Sequence, residues 1–301
     1  MPALAVAYQG TKTVRYNSVF REGLFAGQVM IVTGGGSGIG RCTAHELASL
    51  GATVALVGRK PDRLAKVAAE IAEDGGAAAA YPCDIREEEK VKATVSSILA
   101  AHGRIDGLVN NAGGQFPAPL ASITQKGWET VVRTNLTGGF LMARECYTQC
   151  MREHGGNIVN IVADMWVGMP NMGHSGAARA GMVNFTMTAA VEWAASGVRV
   201  NAVAPGWIAT SGLDTYPENM KPLLRRLARY VPQQRLGTEA EISAAIVFLL
   251  SPAAAFISGE TLRVDGAAPN ARRTIELEKH DRSKPWNGFH RGKVPDLFRG
   301  D

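Results

Sequence analysis

Thr33-Gly34-Gly35-Gly36-Ser37-Gly38-Ile39-Gly40 is the stretch on which the fold of this chain turns. An apolar run, Val29–Thr33, leads into it, and a helical pattern over about Arg41–Leu50 leaves it. Glycines between a strand and a helix let the backbone approach a pyrophosphate closely. The helix that starts there turns free N–H groups and its positive dipole end toward the same anion. The spacing Gly34-x-x-x-Gly38-x-Gly40 departs from the common GxGxxG, yet strand, glycines and helix all agree on a dinucleotide-binding βα unit.

The next apolar run, Thr53–Val57, ends in Gly58-Arg59-Lys60. A carboxylate at that turn would accept from a ribose 2′-hydroxyl and repel a 2′-phosphate. Glycine followed by two cations favours NADP(H) over NAD(H), the alternative being that Arg59 and Lys60 are solvated turn residues. Further strand-like runs are Leu108–Asn110, Ile158–Val162, Arg199–Val203 and Thr261–Val264. Between them lie helical stretches at about Pro61–Glu73, Glu87–Ala101, Gly127–Glu153, Ser175–Ala195 and Glu239–Leu250, the last opened by the capping-box spacing of Thr238 and Glu241. Such alternation predicts an α/β, doubly wound Rossmann-type domain with a parallel sheet covered on both faces. Pro205 to Pro232 carries only a short helical stretch near Met220–Tyr230 and is a candidate substrate lid. After Ala268 the chain turns charged and loses periodicity. The expected organisation is an N-terminal extension over 1–24, one domain over 25–268, and a tail over 269–301 that is a candidate to pack on a neighbouring subunit.

Composition narrows the class. With 46% hydrophobic and 20% charged residues in 301, the chain is neither disordered nor collagen-like. Four cysteines (Cys42, Cys83, Cys146, Cys150) in so long a chain suggest reduced thiols, and no histidine or cysteine pair completes a metal site around Cys146 and Cys150. The net charge of +5 owes much to Arg225, Arg226, Arg229 and the tail after Arg272, without an aromatic-basic RNA-binding motif. A phosphorylated cofactor or an anionic thioester suits that charge, and no nucleic-acid partner is expected. The N-terminus lacks a basic region and a sustained apolar one, and the longest apolar run, Ala244 to Ile257, is interrupted by Ser251-Pro252. A cytoplasmic protein with no membrane insertion is expected.

With Asp84-Ile85 after a presumed third strand, Asn110-Asn111-Ala112-Gly113 after the next, Asn135 in Arg133-Thr134-Asn135-Leu136, and Asn201-Ala202-Val203-Ala204-Pro205-Gly206, the chain resembles the short-chain dehydrogenase/reductase superfamily from about Phe25 to Ala268. The resemblance implies a seven-stranded parallel sheet and a homodimer or homotetramer. It places Gly34, Ser37, Gly38, Ile39 and Gly40 at the pyrophosphate, and Arg59 and Lys60 at the adenosine ribose. It also puts Asp84 and Ile85 near the adenine, Asn111, Ala112 and Gly113 along the cofactor, and Pro205, Gly206 and Ile208 by the nicotinamide amide.

The usual engine of that superfamily is a Ser with a Tyr four residues before a Lys on one helix. That spacing puts phenol and ammonium on one face, where the cation eases proton transfer. Here His174-Ser175-Gly176-Ala177-Ala178-Arg179-Ala180-Gly181 sets Ser175 at the Tyr position and Arg179 at the Lys position, with Val162 at that of the Ser. A serine hydroxyl is a poor acid and a guanidinium keeps its proton. Alcohol–ketone chemistry by the usual route is therefore in doubt. Reducing an α,β-unsaturated thioester asks instead for donors at the carbonyl oxygen while an enolate develops.

This string, with Asn111 to Phe116 and Lys126-Gly127-Trp128, resembles peroxisomal trans-2-enoyl-CoA reductases, although Val183 stands where those enzymes carry a Tyr proposed as proton donor. The candidate catalytic residues are Ser175 and Asn135 as donors, Arg179 as positioner of the nicotinamide ribose, and His174 as a proton source, with Asp164 as a further acid. Each has a structural alternative: Ser175 as a helix cap, His174 as a buried histidine, Arg179 as an ion-pair partner, Asp164 as a loop carboxylate. Met165, Trp166, Met169, Met172 and Met182 are candidates to line an aliphatic pocket. The expected substrate is an acyl thioester. The glycine-rich start and the tail also resemble bacterial dehydrogenases of acyclic terpenoids such as citronellol, so an apolar aldehyde or alcohol is the alternative. A third reading is an NADP-binding scaffold without turnover.

Overall fold

β1 (Val29–Thr33) is buried along its whole length, and its side chains alternate between two cores. Met30 and Val32 pack toward one face of the sheet, Val29 and Ile31 toward the other. Each fully buried aliphatic side chain of this kind contributes about 1.5–3 kcal/mol, so the alternation fixes the strand's register. In the computed structural model, residues 15–271 and 277–298 are described. The first fourteen residues of the expected N-terminal extension, and 272–276 and 299–301 of the expected tail, lie outside them.

Seven parallel strands stand in the order β3-β2-β1-β4-β5-β6-β7, with β2 at Thr53–Gly58, β3 at Ala77–Pro82, β4 at Gly107–Asn110, β5 at Gly156–Ile161, β6 at Val198–Pro205 and β7 at Thr261–Val264. Helices α1 (Gly38–Ser49), α2 (Pro61–Glu73) and α9 (Glu239–Leu250) cover one face. The other carries α3 (Glu88–His102), α5 (Gly138–Cys146) and α7 (Gly173–Glu192). The remaining helices are α4 (Gln125–Val132), α6 (Arg152–His154) and α8 (Lys221–Leu224). The chain runs outward from β1 to β3 and then returns to place β4 on the other side of β1. This leaves a crevice at the strands' carboxyl ends, where a doubly wound sheet binds its ligand.

Two elements differ from the sequence reading. The third strand is an edge strand of four alanines, Tyr81 and Pro82, paired to β2 from Thr53↔Ala77 to Gly58↔Pro82. It has no β-branched residue to announce it. The helix expected over Gly127–Glu153 runs from Gln125 to His154 but contains two π-turns, Arg133–Thr137 and Tyr147–Met151. A π-turn displaces its residues from the regular helical face, and the first carries Asn135. The capping box is present: Thr238 Oγ1 accepts from Glu241 N at 3.1 Å, and Glu241 Oε2 accepts from Thr238 N at 2.9 Å.

The described part of the tail from 277 to 298 packs on its own domain. Phe289 is 2% exposed, wedged between Tyr16 and His45 with the Arg41 guanidinium 4.9 Å from its ring centre. Arg291 forks onto Asp74 at the end of α2. Further on, Leu297 inserts among Leu213, Leu224 and Leu227 of the Pro205–Pro232 segment and Leu236 just after it. The N-terminal segment is pinned alongside, through Asn17 N to Gly288 O and through Tyr16 and Ser18 to the buried Glu46 carboxylate. Among the described residues no helix is long and apolar enough to cross a membrane.

Candidate active site

The glycine turn and β4 are locked together at the switch point. Thr33 Oγ1 accepts from the backbone N–H groups of Asn111 and Ala112, both at 2.9 Å, while Asn111 Nδ2 donates to Thr33 O at 2.9 Å. Gly34 has φ +67°, and a Cβ there would lie 2.9 Å from Asn111 Nδ2. At Gly40 a Cβ would meet the same nitrogen at 2.4 Å, so glycine is required where α1 crosses β4. Ser37 precedes α1 in an extended conformation and makes no side-chain cap bond, which leaves the first N–H groups of the helix facing the crevice.

A cleft of about 350 Å³ opens there, and Gly34, Ser37, Arg59, Lys60, Asp84, Ile85, Asn111, Ala112 and Gly113 line it as the sequence anticipates. Gly58 lines it too, as do Gly36, Arg63, Leu64, Cys83, Arg86 and Thr134, to which sequence reading gave no place in a cofactor site. Gly38, Ile39 and Gly40 form the first turn of α1. Pro205 ends β6, and Gly206 packs so tightly on Asp265 that a Cβ would come within 2.7 Å of its Cα. Both lie outside this cleft, and Ile208 is buried in the core. Arg86 forks onto Asp84, whose carboxyl it holds down at about 2, against the opposing effect of burial. Arg59, Lys60 and Arg63 give the adjoining wall a positive sign.

At the chemical end, α7 begins at Gly173 and points its first turns at the loop after β4. The Asn135 amide clasps Gly114, with Oδ1 accepting from Gly114 N and Nδ2 donating to Gly114 O, each at 2.9 Å. The Ser175 hydroxyl donates to Gln115 Oε1 at 2.6 Å, and Gln115 Nε2 donates to the Tyr216 hydroxyl at 3.1 Å. Ser175 is the third residue of α7, so it is not that helix's cap. His174 Nδ1 accepts from Ser175 N at 2.8 Å, which places the proton of a neutral ring on Nε2. That nitrogen is buried without a partner, and the ring stands edge-to-face with Phe116 at 4.5 Å.

Arg179 follows Ser175 by one turn and is half-buried. Its Nη1 donates to Ile161 O, its Nε is buried without an acceptor, and no carboxylate pairs with it among the described residues. Burial lowers its pKa to about 10, which leaves it cationic at neutral pH. Asn110 Nδ2 bridges to Gly139 O and Asn160 Oδ1, and Asn160 Nδ2 donates to Thr186 Oγ1, so a buried polar chain fixes β4, β5, α5 and α7 beneath the loop.

The Asp164 carboxyl is raised, by burial first and by Asp265 second, and Oδ1 lacks a partner. Met182 is 2% exposed and packs on Val162, Ala202 and Ala204, so it belongs to the core rather than to an aliphatic pocket. Trp166 stays 43% exposed beside Arg263. Sequence reading had quoted Gln115 in a motif without a role and passed over Tyr216, which sits in a segment with no periodicity to mark it. The site thus combines a helix N-terminus without a side-chain cap, a loop held by Asn135, and a half-buried guanidinium one turn after Ser175 on α7.

Comparison with known proteins agrees with this geometry. A family model described as enoyl-(acyl carrier protein) reductase matches residues 34–267. A peroxisomal 2,4-dienoyl-CoA reductase of Danio rerio is 34% identical over 258 residues, covering 84% of this chain and 85% of that protein. A 3-oxoacyl-[acyl-carrier-protein] reductase of Synechocystis is 39% identical over 243 residues, covering 79% and 96%. The solved structure of a citronellol catabolism dehydrogenase from Pseudomonas aeruginosa PAO1 superimposes with a TM-score of 0.76 at 64% identity, covering 84% of this chain and 99% of that one. With a doubly wound sheet, a glycine turn at its switch point and matches of this extent, the chain is an oxidoreductase of the short-chain dehydrogenase/reductase family.

Proposed function

We propose that the protein reduces the 2,3 double bond of an enoyl-CoA thioester with NADPH. The observation that carries this reading is the start of α7, where Ser175 and the half-buried Arg179 stand in place of a phenol and an ammonium. Conjugate reduction needs donors and positive potential at a developing enolate more than it needs an acid on that helix. The open end of α1 and the glycines that no Cβ could replace fit a dinucleotide pyrophosphate, and Gly58 with Arg59, Lys60 and Arg63 fits a 2′-phosphate.

NADPH supplies the hydride when bound. The chain's own residues do the rest. Asn135 holds Gly114, and through it the loop that carries Gln115. The Ser175 hydroxyl, directed at Gln115 Oε1, turns to the thioester oxygen when substrate enters, and the Arg179 charge lies beneath Gly113 to stabilise the enolate. Three exposed arginines of the lid, Arg225, Arg226 and Arg229, suit the CoA phosphates.

A second reading, oxidation or reduction of an acyclic terpenoid alcohol or aldehyde, is favoured by the 64% identity to the citronellol catabolism dehydrogenase. NADPH consumption with a trans-2-enoyl-CoA and with citronellal, run in parallel, separates the two. Turnover of the thioester with a kcat lowered by about tens-fold in Ser175→Ala supports the first reading. Turnover of the aldehyde alone establishes the second in its place.

A further inference from the structure

The structure places a phenol at the site from an unexpected direction. Tyr216 follows the 3₁₀ turn Ser211–Thr215 on the segment between β6 and α9. One glutamine spans the gap between it and Ser175: Gln115 takes the Ser175 proton on Oε1 and gives an Nε2 proton to the Tyr216 oxygen. The phenol therefore acts as an acceptor in this contact, and among the described residues its own O–H donates to no protein group. Its place is fixed from behind. Leu213 is buried with Leu224, Leu227, Leu236 and Leu297, and the Tyr216 ring packs on that cluster. The Asp214 carboxylate accepts from the backbone N–H groups of Leu297 at 2.9 Å and Asp296 at 3.2 Å.

We propose that Tyr216 is the proton donor of the reaction, a lid-borne substitute for the phenol missing from α7; the inference rests on the reductive reading given above. Hydride from the reduced nicotinamide forms the new C–H bond at the β carbon, and the π pair of the double bond moves to make the enolate. The Tyr216 O–H bond then breaks, its proton forms the C–H bond at the α carbon, and the electron pair remains on the phenolate oxygen. The Gln115 Nε2–H stabilises that charge, because a hydrogen bond to the ionised form favours it. A proton from solvent restores the phenol, which is only half-buried. Gln115 is on this account a positioning residue.

The test is Tyr216→Phe, assayed with NADPH against both a trans-2-enoyl-CoA and citronellal, with Tm and NADPH affinity measured as controls. The expected result is a kcat lowered by about 100-fold or more with KM little changed. A Tyr216→Phe enzyme with wild-type kcat overturns the proposal. If the wild type acts on citronellal alone, the thioester reading falls by itself. Tyr216 is then judged on the aldehyde, whose carbonyl oxygen takes the same proton, and the same two outcomes decide it.

Discussion

The Arg179 guanidinium lies directly under Gly113, so near that a Cβ on the glycine would come within 2.6 Å of its Nη2. A half-buried guanidinium with no carboxylate beside it among the described residues gives up part of its hydration without an ion pair in return. Arg179→Met, which fills similar space without charge, is expected to leave Tm equal or raised while kcat/KM falls by about 100-fold. Circular-dichroism melts beside steady-state kinetics check both halves. A clear loss of Tm with full activity assigns Arg179 to structure alone.

On the NADPH reading proposed above, Gly58 sets the sign of charge at the ribose end. A Cβ there would sit 3.3 Å from Leu64 Cδ2, a contact a small shift of that side chain relieves. Gly58→Asp therefore folds, brings a carboxylate beside Arg59 and Lys60, and moves preference from NADPH toward NADH. Fluorescence titration with both dinucleotides reads the swing. Unchanged relative affinity removes this turn from cofactor selection.

Glu239, the first residue of α9, lies near Gly38 in the glycine turn and is 8% exposed. Burial raises its carboxyl from the ordinary value near 4.5 to about 7, with Arg41 pulling the other way. A raised carboxylate favours the fold while protonated, so its contribution is lost as pH rises from about 4.5 to 7. Glu239→Gln is expected to be more stable than wild type at pH 8, by up to about 3 kcal/mol, and equal to it below pH 4.5. Denaturant unfolding at the two pH values is the check, and a pH-independent difference contradicts the assignment.

The tail makes two separable contributions. Phe289→Ala empties a buried site between Tyr16 and His45 and is expected to cost about 3–5 kcal/mol of stability, with KM for substrate unaffected. Leu297→Ala loosens the cluster that seats Leu213 and Tyr216, and is expected to change kcat and KM more than the unfolding midpoint. Equal effects of the two substitutions on kinetics would count against a lid-seating role for Leu297.

The legible parts of this chain were those where local physics leaves little choice. Thr33 to Gly40 marked a strand-to-helix turn because only glycine fits Gly34 and Gly40 against Asn111, and Thr238 with Glu241 marked the start of α9. The third strand was presumed before Asp84 but not located, since four alanines carry no strand preference and its state is set by pairing to β2. The π-turn at Asn135 was equally hidden, for a single turn inside a longer helix is too short to leave a periodicity of its own. Tyr216 could not be found from sequence at all. Its relation to Ser175 exists only through Gln115, sixty residues upstream of that serine, and through Leu297 beyond the last strand.

Between Trp286 and Leu297 the tail touches α9, α1, the end of α2 and the lid in succession, and Asn17 N to Gly288 O fastens the N-terminal segment beneath it. A fluctuation that lifts this strap uncovers the back of the cofactor helix and the back of the lid in one event. Amides of α1 and of the lid would then exchange with deuterium through a shared opening. Helix α1 and the 205–232 segment would gain and lose order together, although some 155 residues of chain separate Ser49 from Pro205.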